Sequence, residues 1–250
     1  MEIKTKKMNW QDIKSAIEKG YNTIVIAVGA IEQHGPHLPT MTDTLIGENL
    51  AYNVAKKLGN CLQGPTITVG CSSHHLSFPG TISLQKSTLK AIILDYSDSL
   101  VKHGFKNIIF IPSHGGNFST VEESVKEAQT KHSTTNIIGY TDLMGYIKII
   151  NSISKEAGIP PEESGAHAGE NETSLVLALA EDLVVKDRYK PGYVGKFGKE
   201  ETEIIFANGM KALTENGILG DPTRSNKAHG QQYLEKMVDS IVNVVKEQLK

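Results

Sequence analysis

The segment VGAIEQHGPHLPTMTDT, residues 28 to 44, carries Glu32, His34, His37 and Asp43 with no lysine or arginine to neutralise its carboxylates. Imidazole and carboxylate at this density can move protons or bind a cation. Glu32 and His34 are two positions apart, so on an extended chain both side chains leave the same face toward one point. Asp43 stands at the expected start of a helix, from which its carboxylate can return to that point. PSHGGN, residues 112 to 117, adds His114, followed by two glycines that let the backbone approach closely. GAHAGENETS, residues 165 to 174, adds His167, Glu170 and Glu172 at a turn into another helix. Glu32, His34, Asp43, His114 and Glu170 together offer enough donors for two divalent cations. This mix of nitrogen and oxygen suits Zn, Mn or Fe better than Ca or Mg alone. The metals would supply the positive charge that the loop lacks.

Other residues compete for the chemistry. Cys71 precedes SSHH, so His74 or His75 could activate its thiol, but catalytic partners usually meet through the fold rather than along the chain. Ser113 lies directly before His114, where adjacent side chains of an extended strand point to opposite sides, and it lacks the GxSxG elbow. HGGN has no GxxxxGK spacing, which argues against a nucleotide loop. His37, flanked by prolines, reads as a turn residue or an outer hydrogen-bond donor, and FPGTISL, residues 78 to 84, as a loop over the site.

These residues need a scaffold that brings loop ends together. NTIVIAVGA (22 to 30) and NIIFIP (107 to 112) are short continuous apolar runs of the kind found in buried parallel strands. TITVG (66 to 70) and TNIIGYT (135 to 141) read as further strands. Helices are expected over 10 to 19, 43 to 58, 87 to 103, 119 to 132, 169 to 184 and 226 to 250, and the stretch 186 to 222 reads as irregular. Strands alternating with helices of this length indicate a layered α/β fold with a mainly parallel sheet. In such folds ligands bind beyond the carboxyl ends of the strands, where each of the three motifs falls.

Composition narrows the class. At 250 residues and 39% hydrophobic the chain can bury a full core, and one domain over 1 to 250 is expected. A net charge of -2 with Lys and Glu evenly mixed gives no basic stripe, so nucleic acid is not an expected partner. Two cysteines ten residues apart fit neither a zinc knuckle nor a disulfide framework, and a reducing cytoplasm is the simplest context. No apolar run approaches a membrane span.

EQHGPHLPTMTDT, FPGTISL, SHGGN and HAGENETS, in this order, resemble the creatininase (creatinine amidohydrolase) family from about residue 24 to residue 225. The resemblance implies a three-layer α/β/α domain with a dinuclear metal centre, a hexamer built from dimers, and hydrolysis of an amide or related bond of a small molecule by metal-activated water. By motif position, Glu32 and His114 would hold one ion, His34 and a later Glu the other, and Asp43 would bridge them. His75 and His167 would line the substrate side, where Ser72 and Asn117 are also expected to contact substrate. Creatininase proper has an HxE pattern whose acid is a ligand; here that position is Gly116, and Glu170 is its expected replacement. Creatininase also closes its pocket with tryptophans, whereas Trp10 is the only tryptophan in this chain and lies far upstream.

The expected reaction is therefore cleavage of an amide other than creatinine, with His167 returning a proton to the leaving nitrogen and Glu172 orienting it. Cyclic amides and formamides are the expected substrates, and creatinine itself, a cyclic polyol ketone or a peptide is the alternative that the family resemblance admits. From the residues alone, a cysteine hydrolase using Cys71 and a metal-binding module without catalysis remain open. Arg224 and His229 could reach a neighbouring pocket, with capping of the last helix the simpler role.

Overall fold

Strand β1 (Thr23–Val28) pairs in parallel with β2 (Cys61–Gln63) on one side and with β3 (Asn107–Pro112) on the other. Strand β4 (Asn136–Gly139) adds to β3, giving the order β2-β1-β3-β4. The computed structural model describes residues 1–249. The helices are α1 (Trp10–Glu18), α2 (Thr42–Leu58), α3 (Lys86–Lys102), α4 (Phe118–Lys131), α5 (Leu143–Glu156), α6 (Pro161–Ser164), α7 (Glu170–Ala180), α8 (Lys199–Asn208) and α9 (Lys227–Gln248).

The period of two along each strand divides the core into two layers. Val25, Ala27, Ile109 and Ile111 face one side and pack with Leu50 and Val54 of α2 and with Tyr233, Ile241 and Val245 of α9. Ile24, Ile26, Ile108 and Phe110 face the other, against Ala16 of α1, Leu89 and Ile93 of α3 and Val121 of α4. Helices on both faces of a parallel sheet make the expected three-layer α/β/α arrangement, and no described helix is long and apolar enough to cross a membrane.

The expected strand over 66 to 70 is displaced. Pairing with β1 runs through Cys61–Gln63 and then breaks at Pro65, which has no N–H to give to a ladder. Ile67 rejoins β1 only through an isolated bridge to Val28. Three helices, α5, the single turn α6 and α8, lie where the sequence suggests no element. α5 occupies 143 to 156, and α8 falls inside the stretch expected to be irregular, with Ile205 its single buried residue and so no apolar stripe to betray it. The expected C-terminal helix reaches Gln248; its last position, 250, lies outside the described residues.

Candidate metal centre

Glu32, His34, Asp43 and His114 are brought to one point beyond the carboxyl ends of β1 and β3. Glu32 and His34 are fully buried on the loop that leaves β1, Asp43 is in the first turn of α2, and His114 comes just after β3, behind Ser113. Asp43 sits between the two imidazoles, with Oδ1 3.5 Å from His34 Nε2 and Oδ2 3.4 Å from His114 Nδ1. Glu32 Oε2 is 3.3 Å from His114 Nε2. Ser113 reinforces this geometry, because its hydroxyl donates to the main-chain carbonyl of Asp43 at 2.8 Å.

Each imidazole is held by a main-chain carbonyl, which can only accept. His34 donates from Nδ1 to Glu32 O at 3.1 Å, leaving the Nε2 lone pair on the cluster. His114 donates from Nε2 to Cys71 O at 3.1 Å, leaving Nδ1 toward Asp43. Anchoring one ring nitrogen on a carbonyl while the other faces the ion is the usual outer support of a metal-bound histidine. Gly116 makes room for this pose: a Cβ there would lie 2.4 Å from Cys71 O and 2.5 Å from His114 Nε2.

The later acid is Glu172, which corrects the expectation for Glu170. Glu172 Oε2 lies 3.7 Å from His34 Nε2 and accepts from Ala168 N at 2.5 Å. Ala168, fully buried, takes a left-handed φ of 52° to aim that N–H, backbone strain of the kind retained at working sites. Two positions along a helix rotate a side chain by about 200°, so Glu170 and Glu172 cannot both face the cluster. Glu170 turns away, fully buried, and its carboxylate accepts from Ser174 Oγ at 2.8 Å, His229 Nδ1 at 2.9 Å and Tyr233 Oη at 2.8 Å. Three donor triads result, each with its ligating atoms within 4.8 Å of one another: Glu32, Asp43 and His114; His34, Asp43 and Glu172; Glu32, His34 and His167.

His75 and His167 complete the wall. His75 Nε2 is 3.4 Å from Glu32 Oε1, His167 Nδ1 is 3.7 Å from the same oxygen, and the His167 and His34 rings are 4.1 Å apart. Ser72 is buried with its hydroxyl 3.5 Å from His114 Nε2. Asn117 corrects another expectation. It accepts from Cys71 N and donates both amide hydrogens, to Val28 O and Gly29 O, so its amide ties the loops at the strand ends together rather than pointing a free donor into the cluster.

Burial and charge set the protonation pattern of the metal-free chain. Burial opposes a charged His34, but Asp43 and Glu172 push it up to about 10. His114 is likewise raised to about 9 by Glu32 and Asp43 against burial. Burial works to raise Glu32, yet the charged His114 beside it holds it well below the usual carboxylate range. Burial raises Glu172 to about 7, with His34 pulling down and Asp43 pushing up. Burial lowers His75 to about 3 and His167 well below the usual imidazole range, so both rings are neutral. The imidazolium forms of His34 and His114 thus take the position that cations would hold.

The donor set fits divalent ions. Both oxygens of Glu32, Asp43 Oδ2 and His34 Nε2 are buried without a hydrogen-bond partner among the described residues. Such atoms cost several kcal/mol unless paired; four of them aimed at one space make a candidate site for cations.

The remaining candidates lie elsewhere. The Cys71 thiol is raised by burial and packs in the apolar layer with Val28 and Ile67. His37 bonds Thr173 Oγ1 at 2.9 Å and burial lowers it to about 4. Arg224 pairs with Glu163 and Gly158 O, and His229 with Glu170, so neither reaches the cluster. Gln33, the residue between Glu32 and His34, was not singled out by its type. It contacts both His75 and His167, and its place inside the EQHG motif is the only signal that could have marked it.

The family model described as creatinine amidohydrolase matches residues 6–245. A mycofactocin precursor peptide peptidase from Mycobacterium ulcerans is 30% identical over 237 residues, covering 92% of this chain and 86% of that protein. The creatinine amidohydrolase of Pseudomonas putida is 25% identical, covering 97% and 95%. The solved E122Q mutant creatininase of the Zn-Zn type superposes with a TM-score of 0.82 over 99% of this chain and 98% of its own, at 24% identity, a likeness of fold. With its motifs joined at one point and a family match across almost all of its length, the chain belongs to the creatininase family.

Proposed function

We propose that the chain is a hydrolase that opens an amide C–N bond of a small molecule with two divalent ions, Zn, Mn or Fe. Glu32, Asp43 and His114 would hold one ion and His34, Asp43 and Glu172 the other, with Asp43 between them. The observation that carries this reading is the set of unpaired buried atoms on Glu32, Asp43 and His34. When bound, such ions polarise a scissile carbonyl and make water nucleophilic near neutral pH. Three carboxylates against two divalent ions leave about one positive charge, which favours an anionic transition state over a neutral amide.

The chain's own groups then divide the work. His167 keeps Nε2–H on Gln33 O at 2.7 Å, so its Nδ1 is free to take a proton from the attacking water and return it to the leaving nitrogen. His75 presents Nε2 beside Glu32, where a substrate carbonyl oxygen would meet it. Ser72 borders the same space. Creatinine is a poor substrate in this reading, because Trp10 is 72% exposed on α1 and supplies no wall for a small flat ring.

Exposed apolar side chains, among them Met144, Ile147 and Phe206, support a homo-oligomer, for which the family resemblance suggests a hexamer. Its mass is checked by light scattering. The activity is tested by metal analysis and by hydrolysis of a panel of formamides, lactams, short peptides and creatinine. About two ions per chain and turnover of at least one amide support the reading, and Asp43→Ala should lose both ions and the turnover. Full metal content and activity in Asp43→Ala would overturn it.

A further inference from the structure

Gln33 lies between two proposed metal ligands and is 6% exposed, yet every polar group it owns is engaged inside the protein. Its N–H donates to Thr81 Oγ1 at 3.1 Å and its carbonyl accepts from His167 Nε2 at 2.7 Å. Side-chain Oε1 accepts from Gly35 N at 2.9 Å, a contact that fixes which end of the amide is oxygen. The Nε2 end then faces Gly217 O at 3.1 Å, His75 Nδ1 at 3.0 Å and His167 Nε2 at 3.1 Å.

Donor counting decides the tautomers. His167 Nε2 already gives its hydrogen to a carbonyl, so it cannot accept one from the Gln33 amide. The two amide hydrogens therefore go to Gly217 O and His75 Nδ1. Because His75 Nδ1 accepts, the single hydrogen of this neutral ring sits on Nε2, 3.4 Å from Glu32 Oε1. His167, with its hydrogen held on Nε2, turns the bare Nδ1 toward the same carboxylate oxygen, 3.7 Å away. The two rings share a tautomer but are oppositely oriented, one showing the site a donor and the other an acceptor.

We infer that Gln33 is a positioning residue that gives the site this polarity, its side-chain amide holding His75 as a hydrogen-bond donor and its main-chain carbonyl holding His167 as a proton acceptor. A donor is needed where the scissile carbonyl gains negative charge, and an acceptor where water loses its proton. The consequence for turnover rests on the amide-hydrolase reading; the tautomers do not. Gly217 belongs to the same device, since with φ 82° its Cβ would lie 1.9 Å from Gln33 Oε1.

The test is nitrogen NMR of the zinc-loaded full chain labelled with 15N-histidine, with His75 assigned by the signals lost in His75→Asn. In the wild type, His75 should carry hydrogen on Nε2 and none on Nδ1. Gln33→Glu replaces the donor with an acceptor, so the His75 hydrogen should move to Nδ1, while His167 keeps its tautomer on the unchanged carbonyl. Gln33→Met, which neither donates nor accepts, should leave His75 as a mixture and serves if the glutamate variant does not fold. Metal content should stay at the wild-type level while kcat falls about 10²-fold or more in Gln33→Glu, the worth of a positioned proton-transfer or hydrogen-bonding group. Hydrogen on His75 Nδ1 in the wild type, or a His75 tautomer indifferent to both substitutions, overturns the inference. The predicted tautomers in a chain that hydrolyses no amide would instead defeat the functional reading and leave this one standing.

Discussion

Glu170→Gln should cost stability and spare the metals, the reverse of what the motif alone suggests. The Glu170 carboxylate is fully buried and gathers Tyr233 Oη and His229 Nδ1 from α9 with Ser174 Oγ from α7, at 2.8, 2.9 and 2.8 Å. It is therefore the polar fastening between two helices that pack along one another. Hydrogen bonds to a charged group contribute about 1.5–3 kcal/mol and neutral ones about 0.5–1.5, so three bonds that each lose about 1 kcal/mol amount to about 3 kcal/mol. For a chain of this size each kcal/mol moves Tm by about 2–4 °C, giving a fall of about 6–12 °C. The assay is thermal unfolding of chelator-treated protein, so that bound ions do not add to the stability of either variant. It is paired with metal analysis after reloading. Glu172→Gln is the contrast: it removes a carboxyl that burial already raises to about 7, so the metal-free Tm should hold or rise while one of two ions is lost. A Glu170→Gln chain with the wild-type Tm and a missing ion would refute the reasoning.

Metal loading should release protons. His34 and His114, raised to about 10 and about 9, must shed their protons to bind a cation, so at pH 7.5 about two leave per chain; calorimetry in buffers of different ionisation enthalpy measures this, and no release contradicts the ligand assignment. The sign of the pH effect follows. Raised imidazoles stabilise the metal-free fold fully below their unfolded value near 6.5, and this is lost as pH rises through about 9 to 10, while metal affinity climbs over the same range. His167→Ala should keep its ions and lose about 10²- to 10⁴-fold in turnover, whereas loss of an ion would make His167 a ligand. Gly116→Ala should lower occupancy of the ion at His114, because the new Cβ would stand 2.5 Å from His114 Nε2; undisturbed metal content would show that the ring has room to move.

Much of the site was legible along the chain because a parallel sheet announces itself locally. Continuous apolar runs mark β1 and β3, and a residue that follows such a run must stand at the carboxyl edge, so Glu32, His34 and His114 could be placed together before any contact was known. Asp43 followed from its position at a helix start. The strand over 66 to 70 was misplaced because three residues, Cys61–Gln63, are too few to show a period, and the break at Pro65 hides their continuity with Ile67.

What the sequence determined by itself is the inventory: four carboxylates and several imidazoles at loop ends with no lysine or arginine among them, on strands that alternate with helices. What only the tertiary structure decided is direction. Glu170 and Glu172 are equal as letters, but the phase of α7 sends one into the cluster and the other to Tyr233 on α9. Asn117 is a polar residue of the SHGGN motif in the sequence, and a tie between three backbone groups in the fold. Gln33 acquires its part only when His75, His167 and Gly217, from loops up to 184 residues away, arrive around its amide. A side chain's chemistry is local, whereas the partners that consume or expose its lone pairs and hydrogens come from distant loops that pack beside it, and no spacing along the chain contains them.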